Sequence, residues 1–202
     1  YDDRYLAEVN IGYNGSEQFA PGQRFGLFPS GSIGWVASNE SFLKDNPVLT
    51  WLKFRASYGL VGNDSMGGNR FLFQDNIQVG GGTNTGGLGG HTISEGLLGN
   101  KNLTWETTTT YNVGLDFGII NNKLFGSVDA YLRKTTDLIN TVYVAALSNF
   151  RNQVTGNVGD MENKGVEIAL TYRPVQKNGW FWEISANATY NLNEITKTAG
   201  GQ

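Results

Sequence analysis

Along most of the chain, apolar and polar residues alternate one by one, the period at which successive side chains of a β-strand point to opposite faces. From Tyr5 to Tyr13 the odd positions are Tyr5, Ala7, Val9, Ile11 and Tyr13, against Leu6, Glu8, Asn10 and Gly12. Ser30 to Ala37 sets Gly31, Ile33 and Trp35 opposite Ser30, Ser32 and Gly34, and Leu52 to Gly59 sets Leu52, Phe54, Ala56 and Tyr58 against Lys53, Arg55 and Ser57. The longest run, Leu103 to Ile119, places Leu103, Trp105, Tyr111, Val113, Leu115 and Phe117 on one face and Glu106, Asn112, Gly114 and Asp116 on the other. A return strand follows with Leu124, Gly126, Val128, Ala130 and Leu132 against Ser127, Asp129, Tyr131, Arg133 and Asp137. Val166 to Tyr172 is a sixth segment, and Trp180 to Asn193 a seventh. The pattern predicts about seven antiparallel strands.

The connections alternate in length. Asn121-Asn122 and Asn178-Gly179 read as tight hairpin turns, because Asn and Gly tolerate the positive φ that such turns require. Gly62 to Asn102 and Asn140 to Glu162 are long and polar. Ser38 to Pro47 is intermediate and reads as a brief helical turn with Asn39 as cap and Pro47 as stop. Short turns at one rim and long loops at the other, joined by strands longer than the usual 5 or so residues, form the pattern of a transmembrane β-barrel. The apolar faces carry almost no charge. Lys134 is the exception, near the end of its strand that leads to a long loop. Tyr5, Tyr13, Trp105, Trp180 and Tyr190 fall toward strand ends, where aromatic girdles meet the lipid–water boundary. Seven strands do not close a barrel of even strand number, and an open sheet in lipid would leave costly unpaired edges. The expectation is an all-β segment of a larger barrel wall, continued by strands outside residues 1–202.

Composition sharpens this picture. Gly is 28 of 202 residues, aromatics are 12% and charged residues only 16%, which suits a wall between lipid and a wet lumen. The net charge of −3 and the lack of any Lys/Arg cluster argue against a nucleic-acid partner. There is no Cys, hence no thiolate metal site. No run of about 18 apolar residues exists for a membrane helix. Tyr1-Asp2-Asp3-Arg4 leads straight into a strand, which reads as a fragment of a longer chain.

Catalytic signals are weak. His91 is the single histidine and lies in a Gly-rich segment, a poor triad member or ligand. Ser30-Gly31-Ser32-Ile33-Gly34 lacks the leading Gly of a nucleophile elbow and sits within a strand. Gly80 to Gly90 (GGGTNTGGLGG) lacks the phosphate-loop Lys and reads as a flexible loop. Asp160, Glu162 and Asn163 do not make a calcium loop. No cofactor is expected. Ten charges fall on the polar faces: Glu8, Lys53, Arg55, Glu106, Asp116, Asp129, Arg133, Asp137, Glu167 and Glu183. They suit a lumen that tolerates charge, and some are candidates for touching a plug or lining a solute path.

Four ordered blocks resemble the barrel domain of SusC/RagA-family TonB-linked outer-membrane proteins. They are YLAEVNIGYNGSEQFAPGQRFGLFPSGSIGW (Tyr5 to Trp35), LKFRASYGLVGN (Leu52 to Asn63), NLTWETTTTYNVGLDFGIINNKLFGSVDAYLRKTTDLI (Asn102 to Ile139) and NKGVEIAL (Asn163 to Leu170). The resemblance implies part of a barrel of about 22 strands around a plug, in the outer membrane of a Bacteroidetes-type bacterium. It implies active import of oligosaccharides or peptides, driven by a TonB complex through the plug and assisted by a SusD-like surface lipoprotein. By that likeness the two long loops face outside. Phe71, Phe73, Tyr143 and Phe150 are candidate ligand contacts there, since aromatic faces stack on sugars; packing within the loops is an equal reading. Plug, TonB-contacting segment and closing strand are expected outside these residues. Two other readings stay open from sequence: a secreted carbohydrate-binding β-sandwich, and an outer-membrane enzyme such as a barrel lipase built on His91.

Overall fold

The computed structural model describes residues 1–44, 46–85, 88–121, 123–143, 153–174 and 180–198, without side chains for 78, 81–85, 88–95 and 143. Its strands are β1 (Tyr5–Gly15), β2 (Phe25–Val36), β3 (Leu49–Asn63), β4 (Ile77–Thr85), β5 (Leu88–Glu95), β6 (Glu106–Ile119), β7 (Leu124–Tyr143), β8 (Gln153–Tyr172) and β9 (Ile184–Lys197). Seven of them form one antiparallel sheet in the order β1-β2-β3-β6-β7-β8-β9, while β4 and β5 make a separate hairpin inserted between β3 and β6. The expected seven-stranded antiparallel sheet is present. The Gly-rich run read as a flexible loop instead falls within the β4–β5 hairpin; glycine weakens a strand signal without abolishing backbone pairing.

Paired residues share a face. Two adjacent rows across all seven strands are apolar throughout: Tyr5-Trp35-Phe54-Leu115-Val128-Ile168-Ala188 and Ala7-Ile33-Ala56-Val113-Ala130-Val166-Tyr190. Much of this surface is open, with Ile33 at 65%, Val113 at 59% and Tyr190 at 66% exposure. An apolar field of this extent is stable against lipid and a liability in water. The opposite face carries Leu6-Gly34-Arg55-Gly114-Asp129-Glu167-Thr189 and Glu8-Ser32-Ser57-Asn112-Tyr131-Gly165-Asn191.

One rim holds the short connections. A single 3-10 turn, Ala37–Asn39, lies in the β2–β3 connection. Asn39 ends this turn rather than capping it, and donates its Nδ2 to the Asp3 carbonyl at 2.8 Å. The β6–β7 reversal falls where the sequence places it: Ile119 pairs with Leu124 and the Lys123 N–H donates to the Ile120 carbonyl at 3.1 Å, with positive φ at Ile120 (56°) and Asn121 (53°). Asn122 and the Asn178-Gly179 turn lie outside the described residues.

The opposite rim holds the β1–β2 connection, the β4–β5 insert and the far ends of β7 and β8, which each run 20 residues. Here lies the buried core of the described residues: Phe19, Phe28, Met66, Leu103 and Trp105, with Leu60, Leu72 and Ile139 against it. Trp105 is therefore not a girdle residue, and β6 starts at Glu106 rather than Leu103. Trp105 packs between Phe19 and Phe28 at ring separations of 5.3 and 5.2 Å and donates Nε1 to the Arg24 carbonyl at 3.2 Å. Asn157 of β8 fastens the insert's return: its Oδ1 accepts from Thr104 N–H at 3.0 Å and its Nδ2 donates to the Thr104 carbonyl at 2.8 Å.

Candidate functional site

The polar face is the candidate working surface, and its centre is an ion cluster spanning three strands. Arg55 on β3 donates Nε and Nη2 to the two carboxylate oxygens of Asp116 on β6 at 2.8 and 2.9 Å, the fork geometry that suits guanidinium to carboxylate. The same Nη2 reaches Asp129 on β7 at 2.9 Å. Arg55 and Asp129 lie two strands apart, so the arginine must lie along the sheet and cross the intervening Gly114. A Cβ at Gly114 would stand 2.6 Å from Asp129 Oδ1 and 2.8 Å from Arg55 Cζ. Glycine is the residue that this crossing permits.

Beside the cluster, Glu8, Ser32, Gly34, Lys53, Ser57 and Asn112 border a groove of about 540 Å³. Its floor is built of small residues, so the wall stays low between its charged flanks. The remaining sequence candidates divide by place. Glu8 accepts from Asn10 Nδ2 at 2.8 Å along the same strand. Arg133 and Glu167 sit in regular register on the polar face. Glu183 pairs with Arg173 Nε at 2.7 Å beside the short-turn rim. Glu106 is committed to structure at the loop rim, accepting from Asn63 Nδ2 at 2.6 Å and from the Ile139 N–H at 2.7 Å. Asp137 lies where β7 bulges between Thr135 and Leu138, with φ of 60°, so it stands outside the regular alternation.

In the insert, Phe71 and Phe73 meet edge to face at 6.2 Å, and the Arg70 guanidinium stacks over Phe71 at 5.1 Å from its centroid. Arg70 is also paired with Glu17 of the β1–β2 connection. Together with Asn69, Gln74 and Asn76, Arg70 and Phe71 border a polar hollow of about 480 Å³. Sequence reading found the aromatics and missed Arg70, whose signal was only its adjacency to Phe71. The Tyr143 side chain, Phe150 and the His91 side chain lie outside what the structure describes. Among the described residues no group of three or more His, Cys, Asp or Glu is placed to hold a metal ion.

At the short-turn rim, Glu40 gathers three donors: Tyr5 Oη at 2.7 Å, Trp35 Nε1 at 3.1 Å and Arg4 Nη1 at 3.1 Å. The Tyr5 hydroxyl first, then the Trp35 indole, holds this carboxyl below its ordinary value. The cluster pins two aromatics at the edge of the apolar rows, where a lipid–water boundary would fall.

A single antiparallel sheet with an apolar face whose charges, Lys134, Glu162, Lys164 and Glu194, gather toward the long-loop rim, a charged opposite face and asymmetric rims defines a class, the wall of a membrane β-barrel. The chain belongs to the TonB dependent receptor-like β-barrel family, which matches it over residues 1–202. It is 39% identical over 201 residues to the TonB-dependent receptor SusC of Bacteroides thetaiotaomicron, covering 98% of this chain and 20% of that protein. It is 32% identical over 199 residues to a TonB-dependent receptor of Formosa agariphila, covering 98% of this chain and 18% of that one. The fold matches the RagAB peptide transporter with a TM-score of 0.86 at 30% identity, over 100% of this chain and 22% of that chain. The chain thus spans about a fifth of the relatives it matches. It is an outer-membrane SusC/RagA-like barrel segment, and at family level its relatives are receptors and transporters rather than enzymes.

Proposed function

We propose that this chain is wall and rim of an active importer that carries large nutrients, oligosaccharides or peptides, across the outer membrane. The observation that carries the reading is the register: the apolar rows through Phe54 and Ala56 are backed on the other face by rows that carry Arg55, Asp129 and Glu167, and Glu8, Asn112 and Asn191. Lipid against one face and a hydrated, plugged lumen against the other account for both. On this reading Glu8, Arg55, Asp116, Asp129, Arg133 and Glu167 face the plug or the solute path. The β4–β5 insert and the β7–β8 connection face outside, where Phe71, Phe73, Tyr143 and Phe150 meet ligand or a SusD-like lipoprotein. The plug and its TonB contact lie in parts of the parent beyond residues 1–202. A secreted sandwich is not favoured, because the apolar face of the seven-stranded sheet has no second layer packed on it among the described residues.

The test is an antibody to the Gly62–Asn102 segment, applied to outer membranes of the source organism with and without boiling. A heat-shifted band several-fold heavier than 22.1 kDa is expected. A single soluble band near that mass would sink the importer. Deleting the full-length gene should also abolish growth on one or more polymeric nutrients, and unchanged growth and uptake on all of them would count against transport.

A further inference from the structure

The apolar face of the sheet marks where the hydrocarbon of a membrane begins and ends. On β1 its apolar run is Tyr5–Tyr13, and within β9 it is Ile184–Leu192. Each covers nine positions, the length a tilted strand needs to cross. Ala188 stands in the row of Tyr5, so the run on β9 is set four residues toward the short-turn rim. The apolar band thus crosses the rows obliquely, as strand tilt requires. Its border on the loop side reaches Tyr13 on β1 but only Leu192 on β9.

Lys134, Glu162, Lys164 and Glu194 sit at that border, on β7, β8 and β9. Lys164 shares a row with Val9, Tyr58, Tyr111, Leu132 and Leu192, while Lys134, Glu162 and Glu194 stand side by side in the next row toward the loops. The Lys164 ammonium leaves its apolar row and reaches Glu162 Oε1 at 3.2 Å, two residues nearer the loop rim. A long cation at the edge of hydrocarbon escapes to the polar boundary in this way. Lys134 Nζ approaches the other oxygen, Oε2, at 3.4 Å from across the β7–β8 pair. Both lysines are half exposed, and the carboxylate between them is the more covered group. Glu162 therefore spaces two ammonium groups at the surface, each with donors beyond the one aimed at it. Glu194 lies opposite Glu162 and adds an exposed carboxylate beside them.

Two ammonium groups suit a phosphate, and a carboxylate accepts from hydroxyls. A phosphorylated sugar offers both groups together. We propose that Lys134, Lys164 and Glu194 hold the phosphorylated sugar headgroup of an outer-leaflet glycolipid, with its acyl chains along Leu132, Val166 and Leu192. The importer reading enters only through the outward orientation of the long loops, on which this contact rests.

Native mass spectrometry of the purified full-length receptor in detergent compares bisphosphorylated lipid A, the same lipid dephosphorylated, and phosphatidic acid. Wild type is expected to hold bisphosphorylated lipid A more tightly than either. Its affinity should fall about fivefold in Lys164→Gln and about thirtyfold in Lys134→Gln/Lys164→Gln. Lys44→Gln/Lys123→Gln, which removes the same charge at the short-turn rim, should match wild type. An unchanged heat-shifted band shows that the variants still fold. Equal affinity of Lys134→Gln/Lys164→Gln and wild type overturns the proposal, as does an equal loss in the short-turn control. So does dephosphorylated lipid A or phosphatidic acid binding as tightly as the bisphosphorylated form, a result that wild type alone decides. Labelling intact cells with the antibody to Gly62–Asn102 tests orientation separately. Labelled cells without a lipid A preference sink this contact and spare the importer; unlabelled cells sink the orientation that both need.

Discussion

Two rows that differ by one residue in every strand show how differently the same backbone is used on its two faces. Phe54, Leu115, Val128 and Ile168 form an apolar row, and Arg55, Gly114, Asp129 and Glu167 form the row behind it. On the apolar face, side chains need volume and no partners. On the polar face two long side chains lie down, each across a glycine of the neighbouring strand, and take hydrogen bonds two strands away: Arg55 over Gly114, Tyr131 over Gly165. A slip of one residue would put Arg55 in lipid and Phe54 over the groove, so both faces select the same register. Glycine in this sheet is therefore placed, not merely abundant.

The comparison breaks most readily at the middle of the apolar face. Val128→Arg should cost about 2–4 kcal/mol of folding stability near a bilayer midplane, whereas the adjacent Ser127→Arg, which faces Asp116, should stay within about 1 kcal/mol. Urea titrations of the full-length receptor refolded into vesicles would measure both, and equal costs would show that the two faces have been assigned wrongly. A smaller effect is expected at Gly114→Val, about 1–3 kcal/mol, because the new methyls would force Arg55 and Asp129 apart. Repeating it in an Arg55→Ala background should recover part of that loss; strict additivity would mean that Gly114 does not seat the arginine.

The smallest effect belongs to Glu40. Its folded-state pKa is depressed below the ordinary 4.5 by the Tyr5, Trp35 and Arg4 donors, so its contribution is complete above that value and fades as pH falls through the lower folded one. Thermal unfolding of Glu40→Gln should start below wild type at pH 7 and converge with it as pH falls through the lowered folded-state value. A gap that widens on acidification would reverse the sign of the linkage.

The sheet was legible because period two persists through strands long enough to exceed any competing reading, as from Glu106 to Ile119. Leu103 and Trp105 continue that alternation yet leave the sheet, because the rim core offers them burial among Phe19, Phe28 and Met66. Alternation alone does not separate a lipid contact from a protein one. The β6–β7 turn was legible in its Asn pair, because pairing of Ile119 with Leu124 centres the reversal there; the positive φ at Ile120 was not, since nothing in an isoleucine signals it. As for the site, the polar face was readable residue by residue, and its groupings were not. Arg55 meets Asp116 and Asp129 across 61 and 74 residues of chain, and Tyr131 meets Asn191 across 60. Only cross-strand register brings such partners together.

The β4–β5 insert also bears on how such a wall can change over generations. β3 and β6 pair in unbroken register from Trp51 to Asn63 although the chain leaves the sheet for residues 64–105 between them. Closing a connection roughly ten times longer than the β6–β7 turn costs only about 2 kcal/mol of chain entropy, since each doubling adds about 0.6 kcal/mol. Thirteen residues of ladder and the rim core absorb that readily. The rim segment can therefore be lengthened, trimmed or exchanged while the apolar rows and the ion cluster keep their places, so that one inherited wall tolerates wide variation in a single excursion of the chain.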